Sequence, residues 1–490
     1  MPFRIILILL AAIVLAGCVA SVPRDGEFKD VEQLLNERVE YQVHWYQGGP
    51  EDTEVREQLD ELLQEPLTAA AAVQIGLLKN QRLQSEYEQL GIAQVDLVQA
   101  GLLSNPRLFG SIRFPSRGGG NNAEFELAQG FLDVLLRSAR QRLARTGFER
   151  AKLSISQHVL DFTYDVLRAF REFQAAARLV EIFEIINESA DAGYELARKF
   201  DAAGNLSELQ LAQYRSIAAN ARAELVNARL TQQHKHDQLA QWLGLRANER
   251  NLVLAEALPK PAAATMTRQE ALAHAQSSRL DLAVLRVNDT QLQHALGMTR
   301  DFRYVGGMEF GVNAERETDG TALIGPNISI ELPLFDQQQA RIARLESRLE
   351  QNRKRITALE VDIDSEVLMA WHRVESMREL LKHYQLEVLP ASEQMLAFMQ
   401  QEQNFMLKDV FDLLLTQREV QTNYHDYIKA LRDYWIAEAD LQRAIGLGGT
   451  VTTAEADPVM QPQRHKHNNP RVPAATSDNS HQSADHGSQH

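Results

Sequence analysis

The sequence predicts a mainly α-helical chain in which one plan occurs twice: a helix, two strands and a long helical hairpin. Three observations predict it. The stretch Asp133–Leu245 contains no proline, its apolar residues follow a heptad spacing, and the same order of elements returns about two hundred residues later. Because an interior proline breaks or kinks a helix, its absence from so long a stretch permits very long helices.

The heptad pattern lies in the first half of this stretch. From Val159 to Phe183, apolar residues follow one another at intervals of three and four positions. That spacing keeps one stripe of a helix facing a partner helix. In the middle of the stretch, Gly204 can adopt a left-handed conformation, and Asn205 or Ser207 can cap the next helix. We therefore expect an antiparallel hairpin whose first arm is about 100 Å long.

The remaining elements follow from proline positions and from alternating apolar residues. Single helices are expected from Leu67 to about Leu103 and from Thr267 to Thr299, with a short helix at Asp30–Tyr41. In chain order, the predicted parts are a signal peptide at 1–17, an N-terminal segment at 18–66, a first repeat at 67–245, a connector at 246–266, a second repeat at 267–447 and a tail at 448–490. The first repeat has strands near 107–131 and a hairpin at 133–245. The second repeat has strands near 304–335 and a hairpin at 336–447.

The N-terminus has the form of a bacterial lipoprotein signal. Arg4 precedes an apolar run that is too short to span a bilayer, and Leu-Ala-Gly-Cys ends it at Cys18. This motif resembles a lipobox, which implies a lipid on Cys18, and Val19 in place of aspartate implies sorting to the outer membrane. A secretory signal with an incidental cysteine is the alternative. Cys18 is the only cysteine, so an intrachain disulfide is excluded.

Composition and charge exclude several classes of function. The formal charge of −15 argues against nucleic acid as a partner, since phosphate binding needs a basic patch. After the signal, no apolar run approaches the eighteen residues that a spanning helix requires. The body is therefore soluble, or it crosses a membrane as β-strands. No nucleophile with a nearby base, phosphate-binding loop or paired-cysteine metal site occurs, so no enzyme activity is expected.

Several local motifs accompany the duplication: Leu67-Thr68 with Ala72, Lys79-Asn80, Ser104-Asn105-Pro106-Arg107-Leu108, Ile330 to Asp336, and Gly204 to Leu209 with Gln213. The duplication and these motifs resemble the TolC-like outer-membrane efflux proteins, and heavy-metal efflux members in particular. The resemblance covers about Leu67–Leu447. There are two departures: Gly130 stands where the second copy has Pro333, and Met406 stands where the family usually has glycine, so the second tip is expected to differ in shape.

The resemblance implies a fold that is mainly α with a membrane β-barrel. In a homotrimer, each chain would give four strands to one twelve-stranded barrel and its helices to a periplasmic α-barrel tube. The implied function is the outer-membrane channel of a tripartite efflux pump, a passive duct for metal ions or small toxic compounds. Its implied partners are outer-membrane lipid, a periplasmic adaptor (membrane fusion protein) and an inner-membrane transporter of the resistance-nodulation-division type. No cofactor is implied beyond the lipid on Cys18.

The hairpin tips are the predicted functional sites. Acidic side chains that face a narrow pore select and bind cations, and Asp412 matches one acidic aperture position of the family, while Leu415 fills the other. Helix capping or solvent exposure explains the same acids without a pore, and ordinary turn chemistry explains the tips without a partner. The predicted aperture residues are Asp201, Asp409 and Asp412, and the predicted adaptor-contacting residues are Gly204, Leu206, Ser207, Leu407 and Val410.

The tail after Gly449 has no apolar period and is expected to be disordered. The tail is rich in histidine, and imidazole groups at such a density suit Cu²⁺, Ni²⁺ or Zn²⁺. This favours metal efflux as the function. The alternative is a polar tail with incidental histidines. The candidate ligands are His465, His467, His481, His486 and His490.

Three other functions remain open at this point. A type I protein-secretion channel has the same architecture. A periplasmic adaptor is also lipidated and carries a hairpin, but only one, with β-rich domains. A structural coiled-coil lipoprotein would lack the strands.

Overall fold

Long helices make up most of the chain. The computed structural model describes residues 23, 25–116, 120–255, 257–261 and 266–448, all within one compact unit, residues 1–456. The helices are α1 (Phe28–Asn36), α2 (Glu51–Leu62), α3 (Ala69–Lys79), α4 (Gln81–Gly101), α5 (Leu132–Ala202), α6 (Glu208–Trp242), α7 (Arg268–Ser278), α8 (Leu280–Asp301), α9 (Gln339–His383), α10 (Leu389–Asn404) and α11 (Val410–Ala444). The strands are β1 (Arg107–Arg113), β2 (Asn122–Gly130), β3 (Met308–Arg316) and β4 (Ala322–Ile330).

The element order is the same in both halves. Two short helices, two strands and a hairpin run from α3 to α6 and again from α7 to α11. The four strands form one antiparallel sheet in the order β1-β2-β3-β4, so the two repeats meet where β2 pairs with β3. Within the described ranges, no helix combines the length and the apolar character needed to cross a bilayer.

Each opening helix is split in two, so the expectation of single helices over 67–103 and 267–299 was wrong. Asn80 and Arg279 both take extended backbone conformations and separate α3 from α4 and α7 from α8. The cause is tertiary. Gly244, at the end of the first hairpin, has a φ of +70° and packs on Asn80, and Gly446 has a φ of +75° and packs on Arg279. A Cβ at either glycine would lie 3.1 Å from the backbone of the split.

The first hairpin consists of α5 and α6. With 71 residues, α5 is about 105 Å long. Gly204, with a φ of +75°, ends it, and Ser207 begins α6 with a capping box that it shares with Gln210. Val159 and most other residues of the predicted stripe are buried, whereas Phe183 is half-buried.

The second hairpin has an irregularity that the first lacks. A five-residue π-helical turn, Tyr384–Val388, joins α9 to α10. Its last bond runs from the Leu389 amide back five residues to the Tyr384 carbonyl. Pro390 follows immediately and has no amide hydrogen to donate. The turn lets the helix continue past the proline as one arm.

The two hairpin tips have the same turn, contrary to the expectation that Met406 would change its shape. Met406 has a φ of +58°. The Leu407 amide donates to the Glu402 carbonyl at 2.9 Å, as the Asn205 amide does to the Phe200 carbonyl at 2.9 Å. A left-handed residue other than glycine costs about 1–2 kcal/mol. The Met406 side chain is 93% exposed, and the hydrogen bonds of the turn offset part of this cost.

The helices next to the sheet form a single layer in the order α4, α5, α8, α9. Glu86 of α4 contacts His158 of α5 at 3.3 Å. Arg150 of α5 donates to Asn288 of α8 at 3.1 Å, and Asn288 donates to the buried Asn352 of α9 at 2.7 Å. The second repeat therefore continues the layer that the first repeat begins.

The N-terminal segment packs across α4 and α5 and is held there by a buried lysine. The Lys152 ammonium is almost fully buried and lies 2.5 Å from Glu27 and 2.6 Å from Asp30. Burial lowers the pKa of Lys152, but its hydrogen bonds to Asp30 and Glu27 outweigh burial and raise the pKa above the ordinary value. The helix here is α1, Phe28–Asn36, shorter than the expected Asp30–Tyr41, and α2 was not expected at all.

We expect Glu27→Gln combined with Asp30→Asn to release this segment from α5. The variant leaves the buried ammonium with Glu149, 3.4 Å away, as its remaining carboxylate partner, which costs up to about 3 kcal/mol. Limited proteolysis should then cut within residues 25–47 much faster than in the parent chain. Adding Lys152→Met should restore resistance, because it removes the buried charge. The control is Glu184→Gln, which breaks an exposed ion pair on the same helix; equal sensitivity of this control would contradict the assignment.

Candidate functional site

The sheet has one apolar face and one polar face. The register places Leu108, Leu127 and Val312 side by side across three strands. Although apolar, this face is open: Leu108 is 65% exposed and Ile328 is 65% exposed. The apolar face comprises Leu108, Ile112, Phe125, Leu127, Phe310, Val312, Ile324, Ile328 and Ile330.

The opposite face carries carboxylates that accept hydrogen bonds from amide side chains of other strands. Asn122 donates to Glu315 at 2.7 Å and Asn313 donates to Glu124 at 3.1 Å. Asn327 donates to Glu126 at 2.5 Å. This polar face can be exposed to water, whereas the apolar face needs an apolar medium or partner.

The far ends of the two hairpins lie together. The ring of Phe411, in the first turn of α11, lies 4.0 Å from the ring of Tyr214 on α6. It also approaches Phe200, near the end of α5, with a centroid distance of 6.3 Å. Sequence reasoning missed this aromatic cluster, because the two hairpins are far apart in the chain. It brings the predicted tip residues of both repeats to one end of the molecule.

The three predicted aperture acids differ in their surroundings. Asp409 is exposed and caps α11, with its carboxylate 3.5 Å from the Phe411 amide. Asp412 lies one turn further along α11 and is half-buried, and Asp201 is half-buried in the last turn of α5. Burial, followed by the negative charges of Asp409 and Asp412, raises the pKa of Tyr214 to about 12. In the structure, Asp409 and Asp412 of the second hairpin therefore lie near Tyr214 of the first hairpin.

Ordinary turn chemistry accounts for the geometry of Gly204 and Ser207, and Leu206 is half-buried beside them. At the second tip, Val410 is half-buried and Leu407 is exposed. Two further residues, which sequence reasoning passed over as contact residues, extend this tip: Phe405 is 76% exposed and Met406 is 93% exposed. The sequence feature that could have identified them is the run of three successive apolar residues, Phe-Met-Leu, in a turn between two helices. We call Phe405–Leu407 the apolar tip.

The lipidation and metal predictions fall elsewhere. Cys18 and the five histidines of the tail, His465, His467, His481, His486 and His490, lie outside the described residues. In the part of the chain that the structure describes, no group of three or more histidine, cysteine or acidic residues is arranged to hold a metal ion.

Comparison with known proteins gives one curated relative and several solved structures. No protein-family model matches the sequence. The cobalt-zinc-cadmium resistance protein CzcC of Cupriavidus metallidurans is 24% identical over 340 residues, which are 67% of this chain and 78% of that protein. The outer membrane protein VceC of Vibrio cholerae is 16% identical, with a TM-score of 0.62 over 80% of this chain and 97% of VceC. CusC, which forms a transmembrane channel, is 15% identical, with a TM-score of 0.63 over 84% of this chain and 99% of CusC. The chain therefore has the fold of the TolC-like outer-membrane channels, the family that its sequence resembles.

Proposed function

We propose that this protein is the outer-membrane channel of a tripartite efflux pump and a passive duct from the periplasm to the exterior. The observation that carries the proposal is the amphipathic four-stranded sheet at the root of two long hairpins. Lipid would cover its apolar face, and water in the channel would contact its carboxylate face. The fold shared with outer-membrane channels supports this assignment, and lipid on Cys18 would add an anchor.

The channel would be a homotrimer. β1 and β4 are the edges of the sheet, and unpaired edges are not tolerated in hydrocarbon. Three chains would supply twelve strands and close one barrel. The helix layer supports the same conclusion, because α8 lies between α5 and α9, whereas the outer sides of α4 and α9 are exposed. Ile92 on α4 is 63% exposed and Val361 on α9 is 61% exposed.

The internal repeat indicates how these two sides meet. Within the chain, Gly147 of α5 faces Gln291 of α8: a Cβ at Gly147 would lie 2.9 Å from the Gln291 amide nitrogen. Equivalent residues lie about two hundred positions apart, as the starts of β2 and β4 show. The α5–α8 contact, shifted by one repeat, places the stretch of α9 around Ser347 beside the stretch of α4 around Gly91 in the next copy.

Charge and shape support this pairing. It places Asp96 of α4 within a turn of Arg344 of α9. On the receiving side, Trp45 and α4 form a groove of about 760 Å³, which would accept the neighbouring helix.

We expect the double variant Gly91→Cys, Ser347→Cys to form covalent trimers when membranes are treated with a short bismaleimide. A lipidated Cys18 offers no thiol, so the parent chain should not react. The control is Gly91→Cys with Ser365→Cys, because Ser365 lies eighteen residues further along α9, about 27 Å from Ser347. Equal cross-linking of this control, or products that do not stop at three chains, would contradict the proposed interface or stoichiometry.

The tips would form the inner end of the duct. Asp412, with Asp201 and Asp409, would line the aperture, and relative rotation of the hairpins would open it. A periplasmic adaptor would contact the apolar tip and the residues Gly204, Leu206, Ser207, Leu407 and Val410. The adaptor would link the channel to an inner-membrane transporter, which for a metal substrate would be of the resistance-nodulation-division type. The relation to CzcC supports metal ions as cargo in preference to secreted proteins.

The aperture assignment can be tested by conductance in planar bilayers. We expect Asp412→Asn to lower the preference for cations over anions by about two-fold or more, because it removes a charge from the constriction. Asp409→Asn should lower the cation preference in the same direction without loss of folding, since asparagine caps a helix as well as aspartate does. An unchanged cation preference in both variants and in Asp201→Asn would remove these acids from the aperture.

The cargo can be tested by growth of a strain that lacks the protein. We expect it to stop growing at lower zinc, cobalt or cadmium concentrations than its parent, and expression of the full chain should restore tolerance. A chain without residues 463–490 should restore less if the tail binds metal. If the strain instead has normal metal tolerance but fails to secrete a protein that its parent secretes, a type I secretion channel is favoured.

A further inference from the structure

The groove between α4 and α5 lies directly beside the sheet. Its volume is about 600 Å³. It has an apolar wall on α4 and a basic wall on α5. The residues that form it are Leu97, Val98 and Leu102 on one side and Arg137, Arg142 and Arg145 on the other.

Two of these arginines are uncompensated. Arg145 is paired with Glu27 at 2.7 Å. Arg140, on the same helix, is paired with Asp133 at 3.2 Å. Arg137 and Arg142 are exposed, and neither forms an ion pair with any other described residue. In a chain with a net charge of −15, two free guanidinium groups beside a leucine-rich wall indicate an anionic ligand with an apolar part.

The groove lies at the level where lipid headgroups would begin. Leu102 comes five residues before β1, and Arg137 comes five residues into α5, which itself starts two residues after β2. Arg137 is therefore about 8 Å and Arg142 about 15 Å along α5 from its first residue. If the apolar face of the sheet is in the hydrocarbon, as the proposed function requires, these arginines are at the periplasmic surface of the membrane.

The same face of the helix layer carries the N-terminal segment. Arg145 contacts Glu27 of that segment at one end of the groove. A segment containing α1 and α2 would obstruct the duct if it lay on the inner side. The groove therefore opens to the outside of the tube, where the inner leaflet of the outer membrane is within reach.

We propose that this groove binds the headgroup of an anionic membrane phospholipid. The planar guanidinium groups of Arg137 and Arg142 would bind the phosphate oxygens with charge-assisted hydrogen bonds. Leu97, Val98 and Leu102 would pack against the glycerol and the first methylenes of the acyl chains. The residues that form the groove all belong to one chain. Bound lipid would fix the height and tilt of the hairpins relative to the membrane.

The test uses the full-length lipoprotein in neutral detergent with added phosphatidylglycerol or phosphatidylcholine, with bound lipid counted by native mass spectrometry. We expect phosphatidylglycerol to bind in preference to phosphatidylcholine. Arg137→Gln with Arg142→Gln should weaken its binding about ten-fold, since two charge-assisted contacts are lost. The matched control is Arg215→Gln with Arg268→Gln, two exposed arginines far from the groove, and it should bind as the parent does.

Two further measurements distinguish binding of the whole lipid from binding of a phosphate group alone. Leu97→Ser with Leu102→Ser should weaken phosphatidylglycerol binding while both arginines remain. Excess inorganic phosphate should compete poorly, because it cannot use the apolar wall. Complete displacement by phosphate, equal binding of the two lipids, or equal loss in the control variant would overturn the proposal.

This inference rests on the proposed membrane location, but the two can fail separately. A protein that forms the cross-linked trimer and supports metal tolerance, yet shows no preference for phosphatidylglycerol, overturns the groove alone. A protein that fractionates away from the outer membrane overturns the proposed function, whatever lipid it binds in detergent.

Discussion

One helix, α5, supports the other parts of the described chain. The N-terminal segment, α3, α4, α6, α8 and α11 all pack against it. A helix of 71 residues has far more surface than one partner can cover, and neighbours on several sides bury different stretches of it. This explains why residues as polar as Lys152 and Arg171 are buried on it. Each has a partner there: carboxylates of the N-terminal segment for Lys152, and the Trp435 ring of α11 for Arg171.

The local parts of the fold could be predicted from the sequence because local chemistry decides them. Gly204 and Ser207 form a turn because one accepts a left-handed backbone and the other caps a helix. The sheet could be predicted from alternation, since one side of each strand is apolar. The family resemblance then supplied the global fold, which the structural comparison confirms.

Long-range contacts decided what the sequence could not predict. Asn80 and Arg279 break their helices because glycines from the ends of the hairpins pack against them. Met406 adopts a left-handed conformation that residues other than glycine disfavour, because the hydrogen bonds of the turn hold it there. The Phe411–Tyr214 contact joins residues of different repeats. The roles of Cys18, the tail histidines and the aperture acids stay predictions.

The π-helical turn at Tyr384–Val388 has a consequence for comparing the two hairpins. Such a turn accommodates one extra residue, and each residue of a helix advances the side chains by about 100°. Positions on α10 are therefore rotated about the helix axis relative to a straight continuation of α9. The first hairpin has no such offset in its long arm. An exchange of tips between the two hairpins keeps the correct faces inward only if the junction lies on the tip side of this turn.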